Sequence, residues 1–145
     1  MLYLASDHAG YRLKEYLKKV LAKKKIRFTD LGTDSEAKVD YPDYAKMVSL
    51  KVAFNPRNKG ILMCGTGIGM CIAANKIKGI RAAMVFDEYS ARMSREHNDV
   101  NIICLRGRNF SKAKAAKLAL LWLKTNFSNG KRHIRRLRKI SAMER

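Results

Sequence analysis

The apolar run Ile61-Leu62-Met63 ends in a thiol, Cys64, and Gly65-Thr66-Gly67-Ile68-Gly69 follows at once. A thiol at that point offers a nucleophile or a base. Glycines at alternate positions expose backbone amides, and such a turn before a helix cradles anions. A helix N-terminus also favours thiolate over thiol. The turn lacks the full GxGxxG spacing and the acidic residue about 20 positions on, which disfavours a dinucleotide site. Most free cysteines are inert core residues; the glycines beside Cys64 argue for chemistry.

Other residues could join it. Asp7-His8-Ala9-Gly10 sets a carboxylate and an imidazole beside a helix start, although Asp7 also suits a capping role. Tyr41, Asp87 and Arg106-Gly107-Arg108 are further candidates. Arg132 and Arg136 stand four apart, hence on one helix face, where two guanidiniums could grip a phosphate. A solvated basic helix is the competing reading there. His133 and Arg135 read as surface, and Cys71 and Cys104 as core.

The elements that must position these residues alternate regularly. Residues 1–6, 26–29, 60–63, 80–86 and 101–105 read as short apolar strands. Residues 10–24, 42–54, 66–78, 88–96 and 111–127 read as helices, with Pro42 in a first turn and Ser111 as a cap. Gly79 closes the third helix, and Asn129-Gly130 separates the fifth from a basic final helix, 131–145. Strands that read as continuous apolar runs are covered on both faces. The expected architecture is therefore α/β: one domain over 1–145, a three-layer αβα sandwich on a five-stranded parallel, Rossmann-like sheet, with an extra C-terminal helix.

In such a sheet ligands bind beyond the carboxyl ends of the strands. Asp7-His8, Cys64 with its glycines, Asp87 and Arg106–Arg108 all fall there, and Tyr41 leads into the second helix. Glu96-His97-Asn98-Asp99 instead precedes strand five, at the amino edge. A five-residue strand is roughly 17 Å long, so one chain's His97 does not easily reach its own Cys64. If both serve one site, His97 comes from a second chain. The final helix, with no strand left to cover, is free to pack on that partner.

Composition sets the outer bounds. With 47% hydrophobic and 30% charged residues, the chain suits a soluble globular domain. No apolar run approaches the roughly 18 residues of a membrane span, and the N-terminus turns acidic at Asp7, too soon for a signal peptide. Three cysteines make no disulfide framework, and the scattered histidines make no zinc pattern. The expectation is a cytoplasmic protein without a bound metal. The net charge of +19 raises a nucleic-acid reading. Against it, many lysines (Lys14, Lys18, Lys112, Lys114, Lys117) fall on outer helix faces, and no nucleic-acid motif is present.

Taken together, Ser6-Asp7-His8-Ala9-Gly10, Asp40-Tyr41-Pro42, the Cys64–Gly69 turn, Ala73-Ala74-Asn75-Lys76, Gly79-Ile80-Arg81-Ala82, His97-Asn98-Asp99, Gly107-Arg108 and Arg132-His133-x-x-Arg136 resemble the type B ribose-5-phosphate isomerases, within the family that includes galactose-6-phosphate isomerase subunits. The resemblance covers nearly the whole chain. It implies a cofactor-free aldose–ketose isomerase of the pentose phosphate pathway, interconverting ribose 5-phosphate and ribulose 5-phosphate through an enediolate. It also implies a homodimer, sometimes a tetramer, with shared sites. By the same resemblance Cys64 is the catalytic base, and the amides of Gly65, Gly67, Ile68 and Gly69 hold the oxyanion. His97 opens the sugar ring, with Thr66 nearby. Asp7, His8, Tyr41 and Asn98 contact the sugar, and Arg108, Arg132 and Arg136 the phosphate. The stretch 125–131 is one residue longer than the family's pattern, which leaves Lys131 as a rival to Arg132. Hexose 6-phosphates (allose or galactose 6-phosphate) are the alternative substrates, and a basic nucleic-acid-binding module is the alternative of another class.

Overall fold

In the computed structural model, which describes residues 1–144, strands and helices alternate along the chain. They are β1 (Leu2–Ser6), α1 (Tyr11–Lys23), β2 (Phe28–Asp30), α2 (Tyr41–Phe54), β3 (Lys59–Cys64), α3 (Ile68–Ala74), β4 (Ala82–Met84), α4 (Glu88–Glu96), β5 (Ile102–Arg106), α5 (Lys112–Lys124) and α6 (Lys131–Ser141). All strands are parallel, in the order β2-β1-β3-β5-β4. Helices cover both faces, as expected for strands that are apolar on both sides. No helix among the described residues is long and apolar enough to cross a membrane.

Alternation along each strand sorts the core into two layers. Ile61, Met63, Ile103 and Leu105 pack with Leu13, Leu17, Leu118 and Trp122 of α1 and α5. Leu62, Cys64, Ile102 and Cys104 pack with Val48, Val52, Met70 and Ala74 of α2 and α3. A fully buried leucine contributes about 1.5–3 kcal/mol, against about 0–1 kcal/mol for an exposed ion pair such as Lys117–Glu88. The two apolar layers therefore fix the sheet, and the sheet fixes where its loops emerge. The chain moves from β1 outward to β2 and returns past β1 to β3, so the loops after β1 and β3 emerge side by side at the carboxyl edge.

The boundaries depart from expectation in instructive places. α3 ends at Ala74, four residues early, because Asn75 turns the chain: its side chain accepts from Ala82 N at 2.9 Å and donates to Ala82 O at 2.8 Å. α5 ends at Lys124, with Thr125 already extended. Lys14 is not on a solvated face. It is 1% exposed and ion-paired with Asp30, which Lys18 also reaches at 2.8 Å. Burial pushes Asp30 up, but Lys14, Lys18 and the Gly32 amide hold its pKa below the ordinary carboxylate value. Nor does α6 stand free of its own chain. Leu137 and Ile140 line a pocket with Ile80, Ala82 and Ala83 at the β4 edge, and Glu144 accepts from Gly79 N at 3.1 Å.

Candidate active site

Three loops converge at the carboxyl edge, and missing side chains let them do so. A Cβ at Gly10 would stand 2.3 Å from the Met63 carbonyl oxygen, and one at Gly107 would stand 2.7 Å from that of Ala9 and 3.1 Å from that of Cys64. Gly107 N donates to Cys64 O at 2.8 Å, Arg108 N to Gly65 O at 3.1 Å, and Asp7 N to Met63 O at 3.1 Å. The backbone after β1, β3 and β5 is thereby stitched into one surface.

Cys64 stands at its centre, 4% exposed. Its Sγ accepts a hydrogen bond from Gly67 N at 3.1 Å. Gly67 takes a left-handed φ of +82°, which brings its amide back over the thiol. Thr66 Oγ1 accepts from Ile68 N at 3.2 Å. The amides of Gly65, Thr66 and Gly69 donate to no group among the described residues. At Gly69 a Cβ would meet the Tyr41 ring at 2.7 Å, so the glycine lets that ring lie against the turn. Arg108 lies against Gly65, its Cδ 3.5 Å from that residue's Cβ position.

The residues after β1 complete this half. One oxygen of Asp7 accepts from Ala9 N and Gly10 N, both at 2.9 Å, so the capping reading holds for Oδ1. No described group bonds Oδ2. His8 Nδ1 accepts from Val39 N at 3.3 Å, which puts the proton of a neutral ring on Nε2. Asp87 lies outside this arrangement. It caps α4, accepting from Ser90 N at 2.6 Å in a capping box, and that amide holds its pKa below the usual carboxylate value.

His97 lies at the other edge. It is the C-cap of α4, five residues before β5 begins, whereas Cys64 pairs with Arg106 at the last position of β5. The intervening strand is roughly 17 Å long. His97 stacks on His133 with ring centroids 4.3 Å apart. Arg132 Nε donates to His133 Nε2 at 3.0 Å, and Arg136 follows one turn later. The surface expectation for His133 is thus corrected: it is 6% exposed, held beneath His97. Burial, then His97 and Arg132, hold its pKa below the ordinary histidine value. Lys131 lines an outward groove with Arg135 and Arg138, while Arg132 touches the histidine pair.

Of the groups that hold this second half, Arg81 and Asp99 fall within the motifs that carry the resemblance, but the sequence reading assigns them no role and does not single out Arg95. Arg81 donates to the carbonyls of Asn98 and Asp99 at 3.1 and 3.0 Å, and to Asp99 Oδ2 at 2.8 Å. Arg95 reaches Asp99 Oδ1 at 2.8 Å. Asp99 has a left-handed φ of +44°, a strained conformation that these two guanidiniums hold. The signal was faint: Arg95 and Asp99 are four apart, but Arg81 lies on a different element.

The profile of a family described as Ribose/Galactose Isomerase matches residues 2–140. The chain belongs to that family. The ribose-5-phosphate isomerase B of Escherichia coli is 41% identical over 138 residues, covering 95% of this chain and 92% of that one. The structure of the ribose-5-phosphate isomerase B of Clostridium thermocellum superposes with a TM-score of 0.95 at 43% identity, over 99% of this chain and 96% of that one. The Mycoplasma genitalium ribose-5-phosphate isomerase B, solved with bound ribulose-5-phosphate, gives a TM-score of 0.93 at 42% identity, over 99% and 95%. For this isomerase family member, a thiol in an amide-lined turn at one edge and a histidine pair with arginines at the other are the two groupings that need a chemical account.

Proposed function

We propose that the chain interconverts D-ribose 5-phosphate and D-ribulose 5-phosphate. The observation that carries this reading is the Cys64 thiol, bonded by Gly67 N and flanked by the free amides of Gly65, Thr66 and Gly69. Cys64 as thiolate takes the C2 proton of the open-chain aldose. The electron pair moves into a C1–C2 double bond, and O1 becomes an oxyanion facing those amides. The hydroxyl proton passes from O2 to O1, the Cys64 thiol returns a proton to C1, and the ketone forms at C2. Preorganised donors of this kind are worth about 3–4 kcal/mol each.

His97 opens the furanose ring, with Thr66 close to the reacting carbons. Asp7, His8, Tyr41 and Asn98 hold the sugar hydroxyls. Arg108, Arg132 and Arg136 hold the phosphate, Arg132 rather than Lys131 because it borders the histidine pair. One site needs both edges of the sheet, so it forms between two chains of a homodimer in the cytoplasm. Ile68 and Ile72, 53% and 57% exposed on α3 beside the thiol loop, support a covering subunit.

The reading predicts turnover of ribose 5-phosphate that EDTA leaves unchanged, faster than with allose or galactose 6-phosphate. Folded protein without pentose turnover would overturn it. The shared site has its own test. Mixing Cys64→Ala and His97→Ala chains under subunit exchange should restore up to about a quarter of wild-type activity by random pairing, with one intact site in each mixed dimer. No restoration would confine each site to a single chain.

A further inference from the structure

At the amino edge, apart from Cys64, lies a pocket of about 260 Å³. Lys59, Arg81, Arg95 and Asp99 supply its charged lining, and Asn58 and Asn101 its amides. Three cations therefore face one carboxylate, and Asp99 already bridges Arg81 and Arg95. Lys59 has no carboxylate within 4.0 Å among the described residues. Its ammonium meets the Leu123 carbonyl at 3.5 Å and stands 5.4 Å from the centre of the Trp122 ring. Burial, and then the charge of Arg95, hold the Lys59 pKa below the ordinary lysine value. Glu144 accepts from the amide of Gly79, a lining residue; counting it, an uncompensated positive charge remains.

A half-buried cation without a counter-charge is costly, and an anion relieves the cost. We propose that this pocket binds a small oxyanion of the phosphate class, held by Lys59 together with the guanidiniums of Arg81 and Arg95. The volume admits a phosphate with several waters, each of which takes about 30 Å³. The site does not depend on the catalytic reading. It bears on it all the same, because Arg81 also holds the carbonyls of Asn98 and Asp99 and so touches the turn that carries His97.

Inorganic phosphate is the probe, titrated calorimetrically in about 0.2 M KCl to screen diffuse attraction to the basic surface. The Arg132→Ala/Arg136→Ala chain, weakened at the proposed substrate phosphate contacts, should still bind one phosphate per chain. Adding Lys59→Met should weaken that binding about tenfold or more, while Lys59→Arg retains it. Lys59→Met alone should leave the KM for ribose 5-phosphate within about twofold, since single substitutions away from a site couple weakly to it. Absence of phosphate binding to the double variant, or binding indifferent to Lys59→Met, would overturn the proposal. If Lys59→Met does not fold, Lys59→Gln carries the same comparison.

Discussion

The two edges of the sheet are built from different materials. The carboxyl edge is backbone: three loops in van der Waals contact, glycines where a Cβ would collide with a carbonyl, and one thiol bonded by an amide. The amino edge is side chain: a stacked histidine pair, and a turn held by Arg81 and Arg95 through Asp99. Backbone packing tolerates almost no change in volume. Side-chain bridges can be loosened one at a time, and their strength depends on charge state. The contrast predicts that damage at the carboxyl edge is abrupt and chemical, and that damage at the amino edge is graded and sensitive to pH.

The largest effect tests the carboxyl edge directly. Cys64→Ala should lower kcat by about 10²–10⁴-fold, the range for removal of a positioned base, while the melting temperature stays within about 3 °C, since the thiol fills little more space than a methyl group. Arg132→Ala should instead raise KM, as expected for a substrate-holding group on the exposed helix α6. Should Cys64→Ala retain wild-type kcat, the division of labour between the edges would fail.

The same contrast explains what the sequence disclosed. The carboxyl edge is written in consecutive residues, Asp7–Gly10 and Cys64–Gly69, because a loop's backbone is determined by its own glycines. The layered sheet was also legible, since strands covered on both faces must be apolar throughout. Bridges between elements were not. Lys14 looks like any surface lysine until β2 brings Asp30 beside it. His133 looks exposed until α6 folds back and lays it on His97. Asp87 looks like a site acid, yet its position before Ser90 makes it a helix cap. For Lys14 and His133 the environment is supplied by a distant segment whose approach leaves no local pattern.

A smaller effect is expected where the amino edge is pinned. Asp99→Asn removes the charge that Arg81 and Arg95 share, while asparagine still tolerates the left-handed backbone at that position. Arg95 is nearly buried but keeps its bonds to the Val100 and Thr125 carbonyls, so losing the charged partner should cost about 0.5–1.5 kcal/mol, or roughly 2–6 °C in melting temperature. The activity loss should be about tenfold, well below that of Cys64→Ala, because the His97–Asn98 turn loosens but its groups remain. A loss of stability with unchanged kcat would show that these bridges hold the fold and not the site.

The smallest effect concerns protonation. His133 is held neutral by burial and by the neighbouring His97 and Arg132, so its folded pKa lies below the unfolded value of about 6.5. Above that value both states carry a neutral ring, and pH has no leverage through this group. As pH falls below it, the unfolded chain takes up the proton first, and stability declines until the folded pKa is passed. Asp30 and Glu15, whose pKa values are lowered by lysines, act in the same sense but at lower pH: their contribution is present above about pH 4 and lost below it. The interval from about pH 7 to 5 therefore separates His133 from the carboxylates. Wild-type melting temperature should fall across it more than that of His133→Gln, which keeps a hydrogen-bonding side chain but does not titrate. Parallel melting curves would mean that the histidine stack does not set the acid sensitivity of the amino edge.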